Sequence, residues 1–241
     1  MSVEATDDRQ QRVSRRDSAA STAVRRPWLQ RATYAFSRWA ARLVGVALCR
    51  LRCEGREHLP ESGPVLVCAN HQSYLDPIIV GLACDRRLNY LARQNLFNNR
   101  VFGWLIRWYD AIPIERDGMG LSGMKETLRR LKRGEMVLIF PEGTRCSDGK
   151  LGPLKPGFCA LARRSGAPLL PIAFEGAFEI WPRYRHWPRP APLAIQFGAP
   201  LWPDEIATLD DESLLSELQT RLADCQQRAH DLNRPRRVSA D

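Results

Sequence analysis

The chain has 241 residues, of which 44% are hydrophobic and 26% are charged. That composition excludes a fibrous, low-complexity or wholly disordered protein, and the length allows one large α/β domain with an appendage, or two small domains. An excess of Lys and Arg (36) over Asp and Glu (27) gives a net charge of +9. The charge indicates an anionic partner, for which nucleic acid, an anionic membrane surface and a phosphorylated substrate are the candidates.

The two ends of the chain carry no globular pattern. Residues 1–27 are polar and rich in Arg, Ser and Ala, and they are predicted to be a disordered basic tail rather than a signal peptide. Residues 236–241 are predicted to be a C-terminal tail. No stretch approaches the ~18 apolar residues of a membrane-spanning helix. The seven cysteines include no C-x-x-C pair, which favours free thiols in a reducing cytoplasm.

The first predicted element is an amphipathic helix over Trp28–Leu51. Its apolar residues recur at three- and four-residue steps and share one face: Leu29, Ala32, Phe36, Trp39, Ala40, Leu43 and Ala47. Another face carries Arg31, Arg38 and Arg42. Such a helix fits a membrane interface with its apolar side in the lipid. It fits equally a helix packed on the domain with its basic face in solvent, and the segment alone leaves both open.

From Pro64 onward, short apolar runs alternate with helical patterns. The predicted strands are Val65–Ala69, Leu88–Ala92, Ala111–Ile114, Met136–Phe140, Leu169–Phe174 and Leu193–Phe197. The predicted helices are Ile78–Cys84, Arg100–Trp108, Leu121–Lys132, Phe158–Arg164 and Ser213–Leu232. This alternation predicts an α/β fold with a mostly parallel sheet covered by helices on both faces. In such folds the chemistry collects where strands end at their carboxyl termini. The proline-rich stretch Trp181–Pro192 is predicted to be a loop.

A histidine and an aspartate follow the first of these strands, in the stretch NHQSYLD at positions 70–76. Imidazole titrates near neutrality, so His71 could take a proton from a hydroxyl if a carboxylate oriented the ring. Five positions on a regular helix would keep His71 and Asp76 apart, and they can meet only if the chain turns before Pro77. Alternatively, Asp76 caps a helix that starts at Pro77, and His71 is an idle loop residue.

Three further strand exits carry candidate groups. Residues 111–116 (AIPIER) end a strand with Arg116, residues 140–145 read FPEGTR, and residues 170–176 read LPIAFEG. In the second of these, Gly143 would let a ligand approach the backbone closely, and the planar fork of Arg145 matches phosphate oxygens. Each stretch alone also fits an ordinary strand-ending turn with a solvated arginine.

Taken in chain order, N-H-x-x-x-x-D, a strand ending in arginine, F-P-E-G-T-R and P-I-x-x-x-G resemble the motifs of the glycerophospholipid acyltransferase family. The likeness is closest to bacterial 1-acylglycerol-3-phosphate acyltransferases. It runs from about Val65 to Gly176 and includes LGPLKPG at 151–157. The resemblance implies an acyltransferase domain over 53–235. It also implies that 28–52 form an amphipathic helix on the cytoplasmic face of the membrane.

The resemblance implies a role for each matching position. His71 would be the general base and Asp76 the carboxylate that orients it. The substrate-binding positions would be Arg116, Glu142, Gly143, Thr144, Arg145 and Lys155. Two residues depart from the family pattern, because Asp110 stands where glycine is usual and Cys146 where serine often follows the arginine. Neither replaces a charged group of the site, although Asp110 is expected to bear on how the acceptor fits.

The implied reaction moves a fatty acyl group from acyl-CoA or acyl-carrier protein to the 2-hydroxyl of lysophosphatidate, forming phosphatidate. It implies an anionic membrane surface as a partner, no metal and no bound cofactor. One alternative is a relative that acylates another lysolipid, such as lyso-ornithine lipid or a lysophospholipid. A more distant alternative is a basic nucleic-acid-binding protein, but no helix-turn-helix, zinc-ligand or aromatic RNA-binding pattern supports nucleic acid as a partner.

Overall fold

The computed structural model describes residues 26–114 and 120–234. Residues 1–25 of the predicted basic tail, the predicted C-terminal tail and Arg116 lie outside these ranges. The strands are β1 (Arg52–Glu54), β2 (Val65–Ala69), β3 (Leu88–Arg93), β4 (Ala111–Ile114), β5 (Met136–Ile139), β6 (Leu169–Glu175) and β7 (Ala194–Phe197). The helices are α1 (Trp28–Cys49), α2 (Asp76–Ala83), α3 (Arg100–Trp108), α4 (Gly120–Lys132), α5 (Gly157–Ser165), α6 (Ala177–Ile180), α7 (Pro203–Thr208) and α8 (Asp211–Asn233).

The strands form one sheet in the order β1-β7-β6-β2-β5-β3-β4. The five strands from β6 to β4 are parallel, while β7 pairs antiparallel with β6 and parallel with β1. The predicted mostly parallel α/β sheet is therefore confirmed. The short elements β1, α6 and α7 were not predicted. The predicted loop over Trp181–Pro192 is confirmed, since this stretch contains no helix or strand.

Helices cover both faces of the sheet, and each face has its own apolar core. Residues of β2 alternate between them, because Val65 and Val67 belong to one core and Leu66 belongs to the other. The first core contains α2 and is contacted by α1, and α3 packs beside α1; we call these three helices the α1 layer. The opposite core is covered by α4, α5, α7 and α8, which we call the α4 layer.

Helix α1 places two of its arginines, Arg38 and Arg42, against the domain, while Arg31 is exposed. Arg38 donates to the carbonyl of Cys84 at 3.1 Å, and Arg42 donates to the carbonyl of Leu82 and to the Asp85 carboxylate. These acceptors lie at the C-terminus of α2, where carbonyls lack helical partners and cations are favoured. The expectation that Arg38 and Arg42 face solvent or lipid is therefore wrong. The aromatic face points outward instead, and Phe36 is 67% exposed.

Asp110 also has a different position from the one expected. It precedes β4 and therefore lies at the amino edge of the parallel strands, whereas His71 follows β2 at the carboxyl edge. Its carboxylate pairs with Arg87 and Arg26, and Arg130 approaches to 3.9 Å. Its φ of 61° lies in the left-handed region, which glycine adopts freely and which aspartate is one of few other residues to adopt. From this position we expect Asp110 to contribute to stability, and a bearing on acceptor fit stays an untested prediction.

Candidate active site

The His71 side chain meets Asp76 in the loop that follows β2. The distance from His71 Nδ1 to Asp76 Oδ2 is 2.6 Å, and the same oxygen accepts the backbone N–H groups of Gln72 and Ser73 at 2.7 and 2.8 Å. The chain therefore turns between the two residues, as their pairing requires. The alternative in which Asp76 caps α2 does not hold, because α2 begins at Asp76 itself and Leu75 occupies the N-cap.

The environment of Asp76 keeps its partner ring oriented. Asp76 is fully buried, and burial raises the pKa of its carboxyl, while the hydrogen bonds from His71 and from two backbone amides act against that rise. Three donors converge on one oxygen of Asp76, and hydrogen bonds of this kind stabilise the ionised form of a carboxyl group. With the Nδ1 proton held by Asp76, the free lone pair of His71 lies on Nε2.

Neighbouring residues fix this loop to the rest of the carboxyl edge. The Asn70 side chain exchanges two hydrogen bonds of 3.0 Å with the backbone of Phe174 in β6. Ser73 Oγ donates to the carbonyl of Trp181 at 2.8 Å. The His71 ring stacks on Phe140 with a centroid distance of 4.0 Å and an interplanar angle of 11°. The imidazole is thus held by packing as well as by Asp76.

Glu142 joins the His71 loop to the loop that follows the FPEGTR motif. One of its carboxylate oxygens accepts the His71 N–H at 2.7 Å, and the other accepts the Gly152 N–H at 2.9 Å. The side chain is only 5% exposed. Burial raises its pKa to about 7, in spite of the hydrogen bonds from Gly152 and His71. Each oxygen of Glu142 therefore accepts one backbone N–H group of the protein itself. Its expected role as a substrate ligand stays a prediction.

The basic groups lie beside this loop. Arg145 is half-buried, with its guanidinium 3.6 Å from the centroid of the Tyr74 ring, and its Nη1 has no hydrogen-bond partner. Lys155 and Thr144 are exposed near Gly143. A side chain at Gly143 would come within 3.0 Å of Lys155 Nζ, and the φ of 70° is one that favours glycine. The backbone therefore approaches the lysine closely here, and two cations flank the exposed turn.

The FPEGTR loop also holds His71 through the residue after Arg145. The Cys146 backbone N–H donates to the His71 carbonyl at 2.8 Å. Burial raises the pKa of the Cys146 thiol to about 11, so it is not a ready nucleophile. Because the contact to His71 uses the backbone, cysteine can stand where relatives have serine.

The structure brings together seven of the eight predicted site residues at the carboxyl edge, and Arg116 lies outside the described residues. Sequence reasoning gave no role to three neighbours: Asn70, Tyr74 and Phe140. A buried asparagine at a strand exit was a usable signal for the first. The ring contacts of Tyr74 and Phe140 depend on tertiary packing, and the sequence carries no comparable signal for them. Within residues 26–114 and 120–234, no cluster of His, Cys, Asp or Glu could hold a metal ion.

Comparison with solved structures identifies the fold. The chain superposes on the crystal structure of the 1-acyl-sn-glycerophosphate acyltransferase PlsC from Thermotoga maritima with a TM-score of 0.72 and 23% sequence identity. The match covers 86% of this chain and 82% of the Thermotoga chain. The sheet and its helical layers are therefore those of the PlsC acyltransferase fold.

Sequence comparison gives the family. The family model described as Acyltransferase matches residues 50–175. A 1-acyl-sn-glycerol-3-phosphate acyltransferase of Pseudomonas aeruginosa is 31% identical over 204 residues, which is 80% of this chain and 77% of that protein. Those of Bacillus subtilis and Brassica napus are each 34% identical, over 50% and 54% of this chain. These two alignments span 60% and 38% of the relatives' own lengths. The chain belongs to the acyltransferase family.

Proposed function

We propose that this protein transfers a fatty acyl group from a thioester donor to the 2-hydroxyl of 1-acylglycerol-3-phosphate and forms phosphatidate. The observation that carries the proposal is the His71–Asp76 pair beside Arg145 and Lys155 at one edge of the sheet. A base and an anion site side by side suit an acceptor that carries a hydroxyl and a phosphate. Relatives in Pseudomonas and Bacillus bear the name of this activity.

The chemistry requires one proton acceptor and no covalent acyl-enzyme. His71 Nε2 takes the proton of the 2-hydroxyl as that oxygen attacks the thioester carbonyl. The tetrahedral intermediate collapses with cleavage of the carbon–sulfur bond, and the thiolate leaves with the electron pair of that bond. The proton held by His71 can then pass to the thiolate or to solvent, which returns neutral imidazole. Asp76 acts by keeping Nδ1 protonated and the ring in place.

We assign binding of the acceptor phosphate to Arg145 and Lys155, which lie in and beside the FPEGTR loop. Arg145 has an unpartnered Nη1 and a guanidinium plane held against Tyr74. A fork of this kind suits two phosphate oxygens at once, and the exposed ammonium of Lys155 adds a second charge. Arg116, which follows β4 outside the described residues, remains a further candidate. We assign Glu142 to positioning the His71 loop, since the side chain is buried and each of its oxygens accepts a backbone N–H group.

We further propose that the α1 layer rests on the cytoplasmic face of the membrane. Eighteen large hydrophobic residues are exposed among the described residues, and 14 of them belong to α1, α2, α3 or the loops that adjoin these helices. In the α4 layer, only Leu121 and Trp202 are of this kind. No helix among the described residues is long and apolar enough to span a membrane, whereas an amphipathic helix can lie in its interface. The seven cysteines are free, as expected in a reducing compartment.

Liposome binding tests the membrane proposal. Phe36→Ser together with Trp39→Ser should lower binding to vesicles more than tenfold, because each exposed ring contributes about 2 kcal/mol on burial. Leu121→Ser, which removes an 88% exposed leucine from the opposite layer, should leave binding unchanged. Salt should weaken binding only in part, since Arg38 and Arg42 are engaged with α2. Equal binding by all three proteins would place the membrane contact elsewhere.

Product analysis tests the activity. Purified protein is given palmitoyl-CoA or palmitoyl-acyl carrier protein and a panel of acceptors: lysophosphatidate, lysophosphatidylcholine, lysophosphatidylethanolamine and lyso-ornithine lipid. We expect phosphatidate to be the main product by mass spectrometry. A preference for an acceptor that lacks a terminal phosphate would overturn the proposed acceptor while leaving acyl transfer in place. No thiol release with any acceptor would refute the reaction.

A further inference from the structure

A groove between α4 and α5 combines an apolar floor with exposed positive charge. It is lined by Leu121, Met124, Lys125, Leu128, Lys132 and Arg164. The spacing of these α4 residues places them on one side of the helix. Leu121 is almost fully exposed, while Met124 and Leu128 are partly buried against the core. The floor therefore presents an apolar stripe of the kind that receives one face of an amphipathic helix.

Among the described residues, the cations of this groove differ from their neighbours in having no anionic partner. On the same helix, Arg129 and Arg130 both pair with Glu126, and on α5 Arg163 pairs with Asp211. By contrast, the three cations that line the groove are exposed, and within the described part of the chain they form no ion pair: Lys125, Lys132 and Arg164. The lining contains no Asp or Glu. The groove is thus complementary to a surface that carries carboxylates around an apolar patch.

The groove runs from the active-site edge of the sheet to the opposite edge. Helix α4 begins six positions after the carboxyl end of β4, the strand end that lies at the same edge as His71. Its last residue, Lys132, precedes the amino end of β5. Eleven residues at 1.5 Å each give a length of about 16 Å from Leu121 to Lys132. A partner lying along the groove can therefore present a flexible arm at the edge where the His71–Asp76 pair lies.

The position of the groove also separates it from the membrane. It belongs to the α4 layer, whereas the exposed aromatic residues of α1 and α3 lie on the other side of the sheet. With the α1 layer on lipid, the groove faces the aqueous phase. Its occupant is therefore a soluble macromolecule rather than an anionic lipid.

We propose that the α4–α5 groove docks an acidic, helical carrier protein that delivers the acyl group as a thioester on its prosthetic arm. This inference rests on the proposed function and names the donor for it. The shape of the groove favours a carrier protein over the nucleotide of a coenzyme. Its cations are spread along two helices and are exposed, whereas a nucleotide phosphate cluster needs donors that converge on one point.

Donor-dependent kinetics test this proposal. The double variant Lys125→Glu/Lys132→Glu is compared with Arg129→Glu, a charge reversal of an exposed arginine on the same helix outside the groove. Palmitoyl-acyl carrier protein and palmitoyl-CoA are each the donor, with lysophosphatidate in detergent as the acceptor. We expect the double variant to lose about tenfold or more in kcat/KM with the carrier protein at low salt, with less than about a twofold change with palmitoyl-CoA. Arg129→Glu should stay close to the native protein with both donors.

The outcomes separate this inference from the proposed function. Native protein that uses palmitoyl-CoA but not the carrier protein overturns the docking proposal and leaves acyl transfer intact. An equal loss with both donors, or no loss with either in a folded double variant, also overturns it. Native protein that is inactive with both donors refutes the proposed function itself. A native preference for the carrier protein that fades as salt rises would support docking through the groove.

Discussion

Replacing Glu142 with Gln tests whether this side chain holds the catalytic loop or binds the acceptor. In the native protein, its two oxygens accept the N–H groups of His71 and Gly152 at 2.7 and 2.9 Å. Glutamine can offer oxygen to only one of these amides and turns its NH₂ group toward the other. One backbone N–H at this buried position would then face another donor.

The size of the effect follows from that lost acceptor. A buried donor without a partner costs about 1–3 kcal/mol. Because one of the two amides belongs to His71 itself, we expect most of this cost to displace the imidazole in the transition state. Since 1.36 kcal/mol corresponds to a tenfold change in rate, kcat should fall roughly 5- to 150-fold. The KM for lysophosphatidate should change little, because Glu142 is buried and its oxygens face the backbone amides of His71 and Gly152.

Steady-state acyl transfer with varied lysophosphatidate gives kcat and KM separately. Glu175→Gln is the matched control, since Glu175 ends β6 at the same edge and contacts Gln226 and His230 rather than the His71 loop. A thermal melt of each variant confirms folding. An increase in KM with an unchanged kcat would show that Glu142 binds the acceptor and would refute the positioning role.

Three further predictions concern ionisation, phosphate recognition and the amino edge. Burial raises the Glu142 pKa from 4.5 to about 7. Between these pH values the folded protein therefore binds more protons than the unfolded chain. The contribution of Glu142 to the free energy of unfolding thus falls as the pH rises from 4.5 to 7. Between pH 4.5 and 7.5 this group should lower the free energy of unfolding by an amount on the order of 3 kcal/mol, and Glu142→Gln should remove that decrease in denaturant titrations. Native and Glu142→Gln proteins with the same pH dependence of unfolding free energy would contradict this. Tyr74→Leu should raise the KM for lysophosphatidate several-fold with little change in kcat, because the ring lies against the Arg145 guanidinium. Tyr74→Phe keeps the ring and should have a near-native KM. Equal KM values for the Leu and Phe variants would exclude a role for the ring. Asp110→Asn should lower the free energy of unfolding in urea by roughly 1–3 kcal/mol, because it leaves arginines unpaired at the amino edge of the sheet. The KM for lysophosphatidate should not change. An altered KM would contradict a purely structural role for Asp110.

Much of the fold could be predicted because the central strands are buried on both faces. Val65–Ala69 and Met136–Ile139 are continuous apolar runs without exposed positions, which is typical of strands inside a parallel sheet. The missed elements lack such a signal. Strand β1 has only three residues and alternates exposed charged side chains around Cys53. Helix α6 has four residues, too few for a helical period to show.

The orientation of α1 shows where periodicity stops being informative. The pattern separates an aromatic face from an arginine face, but it does not say which one meets the domain. The unpaired carbonyls at the end of α2 decide this, because they need donors and Arg38 and Arg42 supply them. That requirement becomes visible only when α2 is placed beside α1.

The candidate site shows the same division between motif and geometry. The motifs located His71, Asp76, Glu142 and Arg145, since each follows a strand end. They could not show that both Glu142 oxygens face backbone amides, or that Arg145 lies on Tyr74. Those contacts depend on how separate loops fold together at the sheet edge.

The most direct test of the account is phosphatidate formation by the His71→Ala protein. Thiol release and phosphatidate are measured together for native and variant enzyme, with lysophosphatidate as the acceptor. Since a positioned general base contributes about 10²–10⁴-fold, we predict a loss of that size in kcat in a variant that still unfolds cooperatively. A folded His71→Ala protein that forms phosphatidate at a near-native rate would contradict the proposed mechanism.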